Sequence, residues 1–172
     1  HAQLTCLAAS AKRERPVPVS EIFPRFARRL DIPLESLDSA RLRQTSDVVF
    51  LALPHGQAAG LAPDLVRAGK RVIDLSGDFR LREPALYRSW YEFDHPHAEW
   101  LTDARVVYGL TEFHREPLRS AALVANPGCY ATSILLGCLP LFERDLAGAG
   151  ELIVDAKSGL SGAGRKADAA LL

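Results

Sequence analysis

A cysteine, Cys129, directly follows the turn sequence Asn126-Pro127-Gly128, which separates two apolar segments. Residues 121–125 predict a short buried strand, and the apolar residues from Ile134 onward predict a helix that begins near Cys129. The unpaired N–H groups and the dipole at a helix N-terminus favour an anion, so this position favours a nucleophilic thiolate. The same N–H groups suit an oxyanion that forms on a carbonyl under attack. A cysteine that only packs in a turn is the alternative, because most free cysteines are packing residues.

The composition excludes several classes of protein. The chain has 172 residues, 48% of them apolar, and a formal net charge of zero, which gives no global basic surface for nucleic acid or anionic membranes. The longest apolar run, 134–142, is shorter than the roughly 20 residues of a membrane span. Three cysteines form neither a disulfide framework nor a metal motif, which favours a reducing cytoplasm. Because the chain begins with His1 and contains no methionine, we expect a piece of a longer protein.

Two apolar segments and the residues between them predict a parallel β-α-β unit. Residues 48–53 are typical of a central parallel strand that is buried on both faces. After the turn Pro54-His55-Gly56, a helix is predicted over 57–68 with Gly69 as its C-terminal cap, and a strand over 72–76. This order predicts an α/β fold with a right-handed parallel crossover.

Ligands in open α/β sheets bind beyond the carboxyl ends of the strands, and two loops qualify, 54–56 and 76–80. His55 is a candidate catalytic base, ligand contact or turn residue, and a loop histidine beside glycine more often shapes or lines a pocket. Asp78 and Arg80 either contact a ligand or form a local ion pair.

The polar and basic residues after the first predicted strand, 3–9, suit a nucleotide. In a doubly wound nucleotide-binding sheet the end of the second strand faces the adenosine ribose, and Ser, Lys and Arg there suit the extra phosphate of NADP. Ser10, Lys12 and Arg13 are therefore candidate contacts. A solvated loop with ordinary surface charges is the alternative.

The remaining segments are less informative. Residues 25–43 read as polar and irregular, 86–90 as one or two helical turns, 106–110 as a strand and 112–119 as a short surface helix. His95 and His97 are separated by a proline, which favours an ordered loop packed by its aromatic residues over a metal site. The helix from Cys129 is predicted to end at Pro140, with Cys138 on the opposite face from Cys129.

A strand predicted over 151–156 is followed by the glycine-rich segment 157–166. Gly162, Gly164 and Ala167 match G-x-G-x-x-A, but a polar lead-in precedes them and no second βα unit follows, which excludes the dinucleotide fingerprint. A phosphate cradle of backbone N–H groups and a flexible linker both remain open.

Four segments, taken together and in this order, resemble the N-acetyl-gamma-glutamyl-phosphate reductase family. Members are NADP-dependent enzymes of arginine biosynthesis, related to aspartate-semialdehyde dehydrogenase. The segments are Leu53–Gly56, Asp74–Arg80, Ala125–Tyr130 and Asp155–Lys166. Each motif alone is weak, but four in register over essentially the whole chain are specific.

The resemblance implies a Rossmann-type, doubly wound parallel sheet over 1–125 that lacks its first βα unit, followed by the beginning of an α+β catalytic and dimerisation domain over 126–172. It implies that Cys129 attacks the acyl phosphate, that a thioester forms and that hydride from NADPH yields the semialdehyde. Asn126 and Gly128 are the implied substrate contacts. The implied cofactor contacts are Ser10, Lys12, Arg13, Pro54, His55, Gly56, Ser158, Gly159, Gly162 and Gly164.

The resemblance also implies what the chain does not contain. The family's first glycine-rich turn is expected before His1, and its catalytic histidine beyond the glycine-rich segment, so we expect the 172 residues to be inactive alone. The full-length protein is expected to be a cytoplasmic homo-oligomer that acts on a small acyl phosphate, with no metal, nucleic-acid or membrane partner. The alternatives are a paralogous acyl-phosphate reductase of lysine biosynthesis and a non-catalytic nucleotide-binding module.

Overall fold

The computed structural model describes residues 2–10, 12–30, 32–148, 150 and 152–159. They belong to two compact units, residues 1–127 and residues 128–172. The fold is α/β and of the Rossmann type, as the sequence predicts. The described residues include no helix that is both long enough and apolar enough to cross a bilayer.

The first unit alternates strands and helices. Its strands are β1 (Leu7–Ala9), β2 (Val17–Pro18), β3 (Pro33–Ser36), β4 (Val48–Leu51), β5 (Arg71–Asp74), β6 (Val106–Tyr108) and β7 (Leu123–Ala125). Its helices are α1 (Val19–Ile22), α2 (Ser39–Thr45), α3 (Gln57–Arg67), α4 (Pro84–Tyr91) and α5 (Thr111–Ser120), with 3-10 turns at Pro24–Phe26 and Ala98–Thr102. The predicted short helices near 86–90 and 112–119 are confirmed as α4 and α5, although α5 is kinked at His114.

The larger sheet has four parallel strands in the order β4-β5-β7-β6. The predicted β-α-β unit is confirmed, since β4 and β5 are parallel neighbours joined by α3. Gly69, just beyond α3, has φ +77°, a left-handed conformation that glycine adopts at little cost. Ala58, Ala62 and Leu65 of α3 are completely buried in the core that β4, β5 and β7 share.

The prediction that 48–53 is buried on both faces is wrong for the described residues. Val49 and Leu51 are buried, whereas Val48 is 45% exposed and Phe50 is 65% exposed. Alternate side chains of a strand face opposite sides of the sheet, and the buried pair lies in the same core as α3. Among the described residues, β4 is also the first strand in the order of the larger sheet.

The smaller sheet has the order β1-β3-β2, with β1 parallel and β2 antiparallel to β3. The interpretation of 25–43 as irregular is wrong, because this part of the chain contains β3 and the first turns of α2. Asp38 caps α2 by accepting from the N–H groups of Ala40 and Arg41, at 2.8 and 3.3 Å. Such a cap stabilises a helix by about 1 kcal/mol.

In the second unit, α6 (Cys129–Phe142) begins at the predicted residue. The predicted end is wrong, because Pro140 lies inside the helix and the Glu143 N–H still donates to Leu139 O at 2.9 Å. The strand predicted over 151–156 is also wrong for the described residues 152–159, which have no regular secondary structure. Ile153 is 90% exposed, and a strand needs a hydrogen-bonded neighbour as well as a β-prone sequence.

Candidate functional site

The carboxyl ends of the neighbouring strands β4, β5 and β7 lie at one edge of the larger sheet, because these strands are parallel. The segments that follow them are 54–56 after β4, 75–80 after β5 and 126–127 after β7. This is the edge at which open α/β sheets bind ligands. The segment after β5 is central, since β5 lies between β4 and β7 in the sheet order.

Asp78 connects the central segment to the one after β4. Its carboxylate is completely buried and accepts from Gly56 N–H at 2.9 Å and from Ala59 N–H at 2.8 Å. These donors belong to the N-terminus of α3, whose first N–H groups have no partner inside the helix. A carboxylate from a neighbouring loop therefore caps α3. No local sequence signal predicts this cap, because the partners are 19 and 22 residues apart.

The ion pair considered between Asp78 and Arg80 does not form. Arg80 donates from Nε to Asn126 O at 2.8 Å and from Nη2 to Leu75 O at 3.1 Å. The guanidinium group therefore holds the backbone after β7, while Asp78 holds the backbone after β4. Asp78 and Arg80, from the loop after β5, therefore hold the two segments on either side of that loop.

His55 accepts a hydrogen bond from the central segment. Gly77 N–H donates to its Nδ1 at 3.0 Å, and the ring lies edge-on to Tyr91 with centroids 4.9 Å apart. Since a backbone N–H can only donate, Nδ1 is the acceptor and the neutral ring carries its proton on Nε2. Neutral His55 therefore donates from Nε2. This atom has no free lone pair, so it does not act as a base.

Asp74, the last residue of β5, is a second buried carboxyl group at this edge. Its Oδ1 accepts from Ser76 N–H at 2.9 Å, whereas Oδ2 has no hydrogen-bond partner within the described part of the chain. Burial raises the pKa of Asp74, and the hydrogen bonds from Ser76 partly oppose the increase. Ser76 also accepts from Asp78 N–H at 3.2 Å, so this turn is fixed by its own side chains.

A cluster of aromatic side chains supports the central segment. Tyr87 is buried and stacks on Tyr91, with centroids 5.6 Å apart, and it also contacts Phe93 and His95. The Tyr87 hydroxyl accepts from Leu81 N–H and donates to Leu81 O. Ring contacts thus confirm the prediction of an ordered loop packed by aromatic residues around 91–97.

Gly77 has no space for a side chain, which gives a first prediction. A Cβ atom there would lie 2.2 Å from Cε1 of Tyr91, so Gly77→Ala is expected to destabilise the protein by about 3 kcal/mol through overpacking. Gly56→Ala is the control: its Cβ would meet the Phe93 ring at an ordinary 3.5 Å, so its cost of about 1 kcal/mol reflects φ +84° alone. Urea unfolding measures both. In a Tyr91→Ala background the cost of Gly77→Ala should fall, and an unchanged cost would contradict the clash.

His95 is a half-buried neutral histidine with both ring nitrogens in hydrogen bonds. His97 N–H donates to Nδ1 at 3.2 Å, so Nε2–H donates to Asp78 O at 2.8 Å. Burial lowers the pKa of His95 below its ordinary value, because the charged ring loses its hydration.

The lowered pKa of His95 predicts a pH dependence of stability. The unfolded chain, with a histidine pKa of about 6.5, binds a proton at a higher pH than the folded chain does. The contribution of His95 is therefore complete above about pH 6.5 and is lost as the pH falls through the lower folded pKa. His95→Gln should flatten the unfolding free energy between about pH 8 and pH 5, and curves that remain parallel to the wild-type curve would contradict this assignment.

A cavity of about 310 Å³ lies at the carboxyl ends of β1 and β3. Ser36 Oγ accepts from Arg13 N–H at 2.7 Å and donates to Arg13 O at 3.2 Å, and Arg13 Nε is buried without a partner among the described residues. The cavity is lined by Arg13, Glu14, Arg15, Pro16, Glu35, Ser36, Asp38 and Arg41. Sequence reasoning missed Ser36 and Arg41 because it missed β3 and α2.

The donors of this cavity fit a phosphate. Glu35 is already paired with Arg41 at 2.9 Å and Asp38 caps α2, so the guanidinium groups of Arg13 and Arg15 are the candidates for an anionic group, and the carboxylate of Glu14 also lines the cavity. Of the three candidate ribose-phosphate contacts, Arg13 lines the cavity, whereas Ser10 and Lys12 are exposed and do not.

Cys129 is the first residue of α6 and is exposed. Gly128 is the N-cap residue, in an extended conformation, and no side chain caps this helix end within the described part of the chain. Thr132 N–H donates to Gly128 O at 2.9 Å, which closes the first helical turn. The helix therefore begins at Cys129, and its first N–H groups have no partner inside the helix.

The other candidate contacts lie in the second unit. Ser158 and Gly159 are exposed residues of a segment without regular secondary structure, and Ser158 Oγ donates to Gly159 O at 3.3 Å. Gly162 and Gly164 lie outside the described residues. Among the described residues no group of three or more His, Cys, Asp or Glu side chains is arranged to hold a metal ion.

Comparisons with known proteins cover both units. Residues 1–121 match the model for the semialdehyde dehydrogenase NAD-binding domain, and residues 129–172 match the model for the semialdehyde dehydrogenase dimerisation domain. The chain is 45% identical over all 172 residues to an N-acetyl-gamma-glutamyl-phosphate reductase of Herminiimonas arsenicoxydans, 49% of whose length is covered. It is 47% identical over 167 residues, or 97% of the chain, to the protein of that name from Nitrosococcus oceani, 48% of which is covered.

A third relative of the same name, from Dehalococcoides mccartyi, is 52% identical over 148 residues, which are 86% of this chain and 41% of the relative. The chain spans about half the length of the curated relatives that it matches. The first unit is a nicotinamide-dinucleotide-binding domain by its family match and by its parallel sheet. With both of its units matched in order, the chain belongs to the semialdehyde dehydrogenase family.

Proposed function

We propose that the protein is an NADP-dependent acyl-phosphate reductase of arginine biosynthesis. It would reduce N-acetyl-gamma-glutamyl phosphate to N-acetylglutamate 5-semialdehyde in the cytoplasm. The observation that carries the proposal is the match of the whole chain to a relative named N-acetyl-gamma-glutamyl-phosphate reductase. The exposed cysteine that begins the helix after Asn126-Pro127-Gly128 supports it. An exposed thiol at a helix N-terminus is the setting that a covalent acyl intermediate requires.

We propose a division of labour along the chain. Residues 1–125 would bind the dinucleotide, and residues 126–172 would begin the catalytic and dimerisation domain. The family matches support this division, because they run over 1–121 and 129–172 and the second is described as a dimerisation domain. The functional protein would accordingly be a homo-oligomer.

Cys129 is proposed as the nucleophile that carries the acyl group through the reaction. Its Sγ attacks the acyl carbon, the C–S bond forms, and the C–O bond to phosphate breaks as phosphate leaves with the bonding electrons. When bound, the nicotinamide coenzyme supplies the hydride that reduces the resulting thioester. The tetrahedral oxyanion on Cys129 then collapses to the aldehyde, and Sγ leaves as the thiolate. N–H groups at the start of α6 would stabilise that oxyanion.

Asn126 and Gly128 are proposed as substrate contacts because they flank the turn that leads to Cys129. Asn126 Nδ2 donates to Pro127 O at 3.1 Å, and the Asn126 carbonyl is held by Arg80. The proposed dinucleotide contacts are Ser10, Lys12, Arg13, Pro54, His55, Gly56, Ser158, Gly159, Gly162 and Gly164.

The preference for NADP is proposed from Arg13 and gives a further prediction. Its buried, unpartnered Nε lies at a cavity whose donors suit a phosphate. Arg13→Ala should raise the KM for NADPH about 10- to 100-fold, which corresponds to losing a charged hydrogen bond, and leave the KM for NADH nearly unchanged. Steady-state kinetics with both coenzymes measure the ratio. An equal change for NADPH and NADH would contradict the assignment.

The reaction itself is tested in reverse with the full-length protein, N-acetylglutamate semialdehyde and NADP, by following the absorbance of NADPH. The proposal expects reduction of NADP that requires inorganic phosphate, because phosphate must attack the acyl-enzyme. Reduction that is independent of phosphate would overturn it. A preference for the semialdehyde that is one methylene longer would instead assign the protein to lysine biosynthesis.

A further inference from the structure

Five residues, from the turn and first residues of α3 after β4 and from the loop after β5, form a reciprocal set of hydrogen bonds, which we call the 55–78 latch. Asp78 accepts from Gly56 N–H and Ala59 N–H, and His55 accepts from Gly77 N–H, all at 2.8–3.0 Å. Each loop therefore contributes one side-chain acceptor and receives backbone donors from the other. The latch joins the carboxyl ends of β4 and β5, where an α/β sheet binds its ligand.

All polar groups of Asp78 have hydrogen-bond partners. Besides the two carboxylate oxygens, its N–H donates to Ser76 Oγ at 3.2 Å and its carbonyl accepts from His95 Nε2 at 2.8 Å. The side chain is completely buried, so it does not contact a ligand directly. Any influence of Asp78 on a ligand must therefore pass through the residues that it holds.

His55 is the exposed member of the latch. Its side chain is 53% exposed, and among the described residues none forms a hydrogen bond with Nε2. The Nδ1 atom lies 3.9 Å from Asp78 Oδ1, too far for a hydrogen bond, and its lone pair is used by Gly77 N–H. The edge contact with Tyr91 further limits rotation of the ring. The group that His55 offers is therefore a fixed Nε2–H donor.

We propose that Asp78 is a positioning residue: by holding the loop after β4 it keeps His55 in the Nε2–H form, and His55 donates that N–H to an acceptor oxygen of the bound dinucleotide. The proposal rests on the proposed function only in taking a nicotinamide dinucleotide as the ligand. Its tests use the ring's protonation and coenzyme binding, so that a failure to reduce acyl phosphates leaves them interpretable.

The first test is the tautomer itself. Long-range 1H–15N correlation spectra of the full-length protein at about pH 8 distinguish a protonated from an unprotonated ring nitrogen. We expect His55 to show an unprotonated Nδ1 and a protonated Nε2 before any ligand is added. A protonated Nδ1, or a mixture of both tautomers, would overturn the proposal.

The second test separates the two ring nitrogens. In His55→Asn the amide oxygen replaces Nδ1 as the acceptor for Gly77 N–H, and nothing replaces Nε2–H. We expect the dissociation constant for NADPH, measured by fluorescence titration, to rise about tenfold while the urea midpoint stays near that of the wild type. In His55→Gln the amide nitrogen lies near the Nε2 position and the acceptor is lost. That variant should show a lower urea midpoint and bind NADPH more tightly than His55→Asn does.

The third test asks whether Asp78 acts through His55. Asp78→Glu keeps the carboxylate but displaces it from its two backbone donors. This conservative variant is used in case Asp78→Asn, which removes the charge, does not fold. We expect Asp78→Glu to weaken NADPH binding several-fold in the wild-type background and to have almost no further effect in His55→Asn, because the affected contact is already absent. Equal effects in the two backgrounds would show that Asp78 acts on the fold alone and would overturn its positioning role. Wild-type NADPH affinity in His55→Asn would overturn the donor role.

Discussion

Replacing Asp78 with alanine is expected to lower the free energy of unfolding by about 3 kcal/mol, because two backbone donors, one buried and one part-buried, lose their acceptor at once. Gly56 N–H and Ala59 N–H both donate to this carboxylate. A buried donor left without a partner costs about 1–3 kcal/mol. Urea unfolding of the full-length protein, followed by circular dichroism, measures the loss.

Asp64→Ala is the matched control, since it removes an aspartate from α3, the helix that Asp78 caps. Asp64 is 58% exposed and pairs with Arg67 at 2.9 Å. An exposed ion pair contributes little, so the change should stay below about 0.5 kcal/mol. Similar losses for Asp64→Ala and Asp78→Ala would contradict the view that Asp78 caps α3 from a neighbouring loop.

Replacing Cys129 with alanine is expected to lower kcat by at least about 10³-fold, because the acyl group then has no nucleophile to receive it. Cys129→Ser should also be inactive or nearly so, since a hydroxyl without an adjacent base is a far weaker nucleophile than a thiolate. Both variants should still bind NADPH, because the proposed dinucleotide contacts are other residues. Fluorescence titration and steady-state kinetics on the same preparations separate binding from turnover.

Cys138→Ala provides the control for Cys129→Ala. Cys138 lies nine residues further along α6 and is half-buried, so its loss removes a thiol without removing the proposed nucleophile. Its activity should remain within about twofold of the wild type. A loss for Cys138→Ala as large as that for Cys129→Ala would show that the activity depends on the helix rather than on one thiol.

The sequence predicts the elements whose evidence is local. β4, β5 and β7 are short apolar segments bounded by turn residues, and α6 begins where Pro127 and Gly128 interrupt such a segment. Hydrophobic pattern and turn chemistry are sufficient for such elements. The positions of Cys129 at the start of α6 and of His55 just before α3 follow from the same local signals.

The elements that sequence reasoning missed depend on their neighbours. β3 has the sequence Pro-Leu-Glu-Ser and is a strand because β1 and β2 pair with it on either side. Conversely, 152–156 is β-prone but has no strand in the structure. The exposure of Phe50 likewise depends on what covers the sheet and not on the residue itself.

The contacts that define the site are equally non-local. Asp78 and His55 both accept from backbone N–H groups, and a backbone donor leaves no signature in the sequence. Ser36 contacts Arg13 across 23 residues. The residue types at this edge of the sheet were predictable. That Asp78 pairs with the start of α3, and not with Arg80, is seen only in the structure.

The central claim, a covalent acyl intermediate on Cys129, is tested most directly by mixing the full-length protein with N-acetyl-gamma-glutamyl phosphate in the absence of coenzyme. After acid quenching, mass spectrometry locates any adduct and a colorimetric assay measures the phosphate released. We expect an acyl group on the peptide that contains Cys129, release of phosphate in equal amount, and neither in Cys129→Ala. An adduct on another residue, or turnover with coenzyme by a protein that never forms the Cys129 adduct, would contradict it.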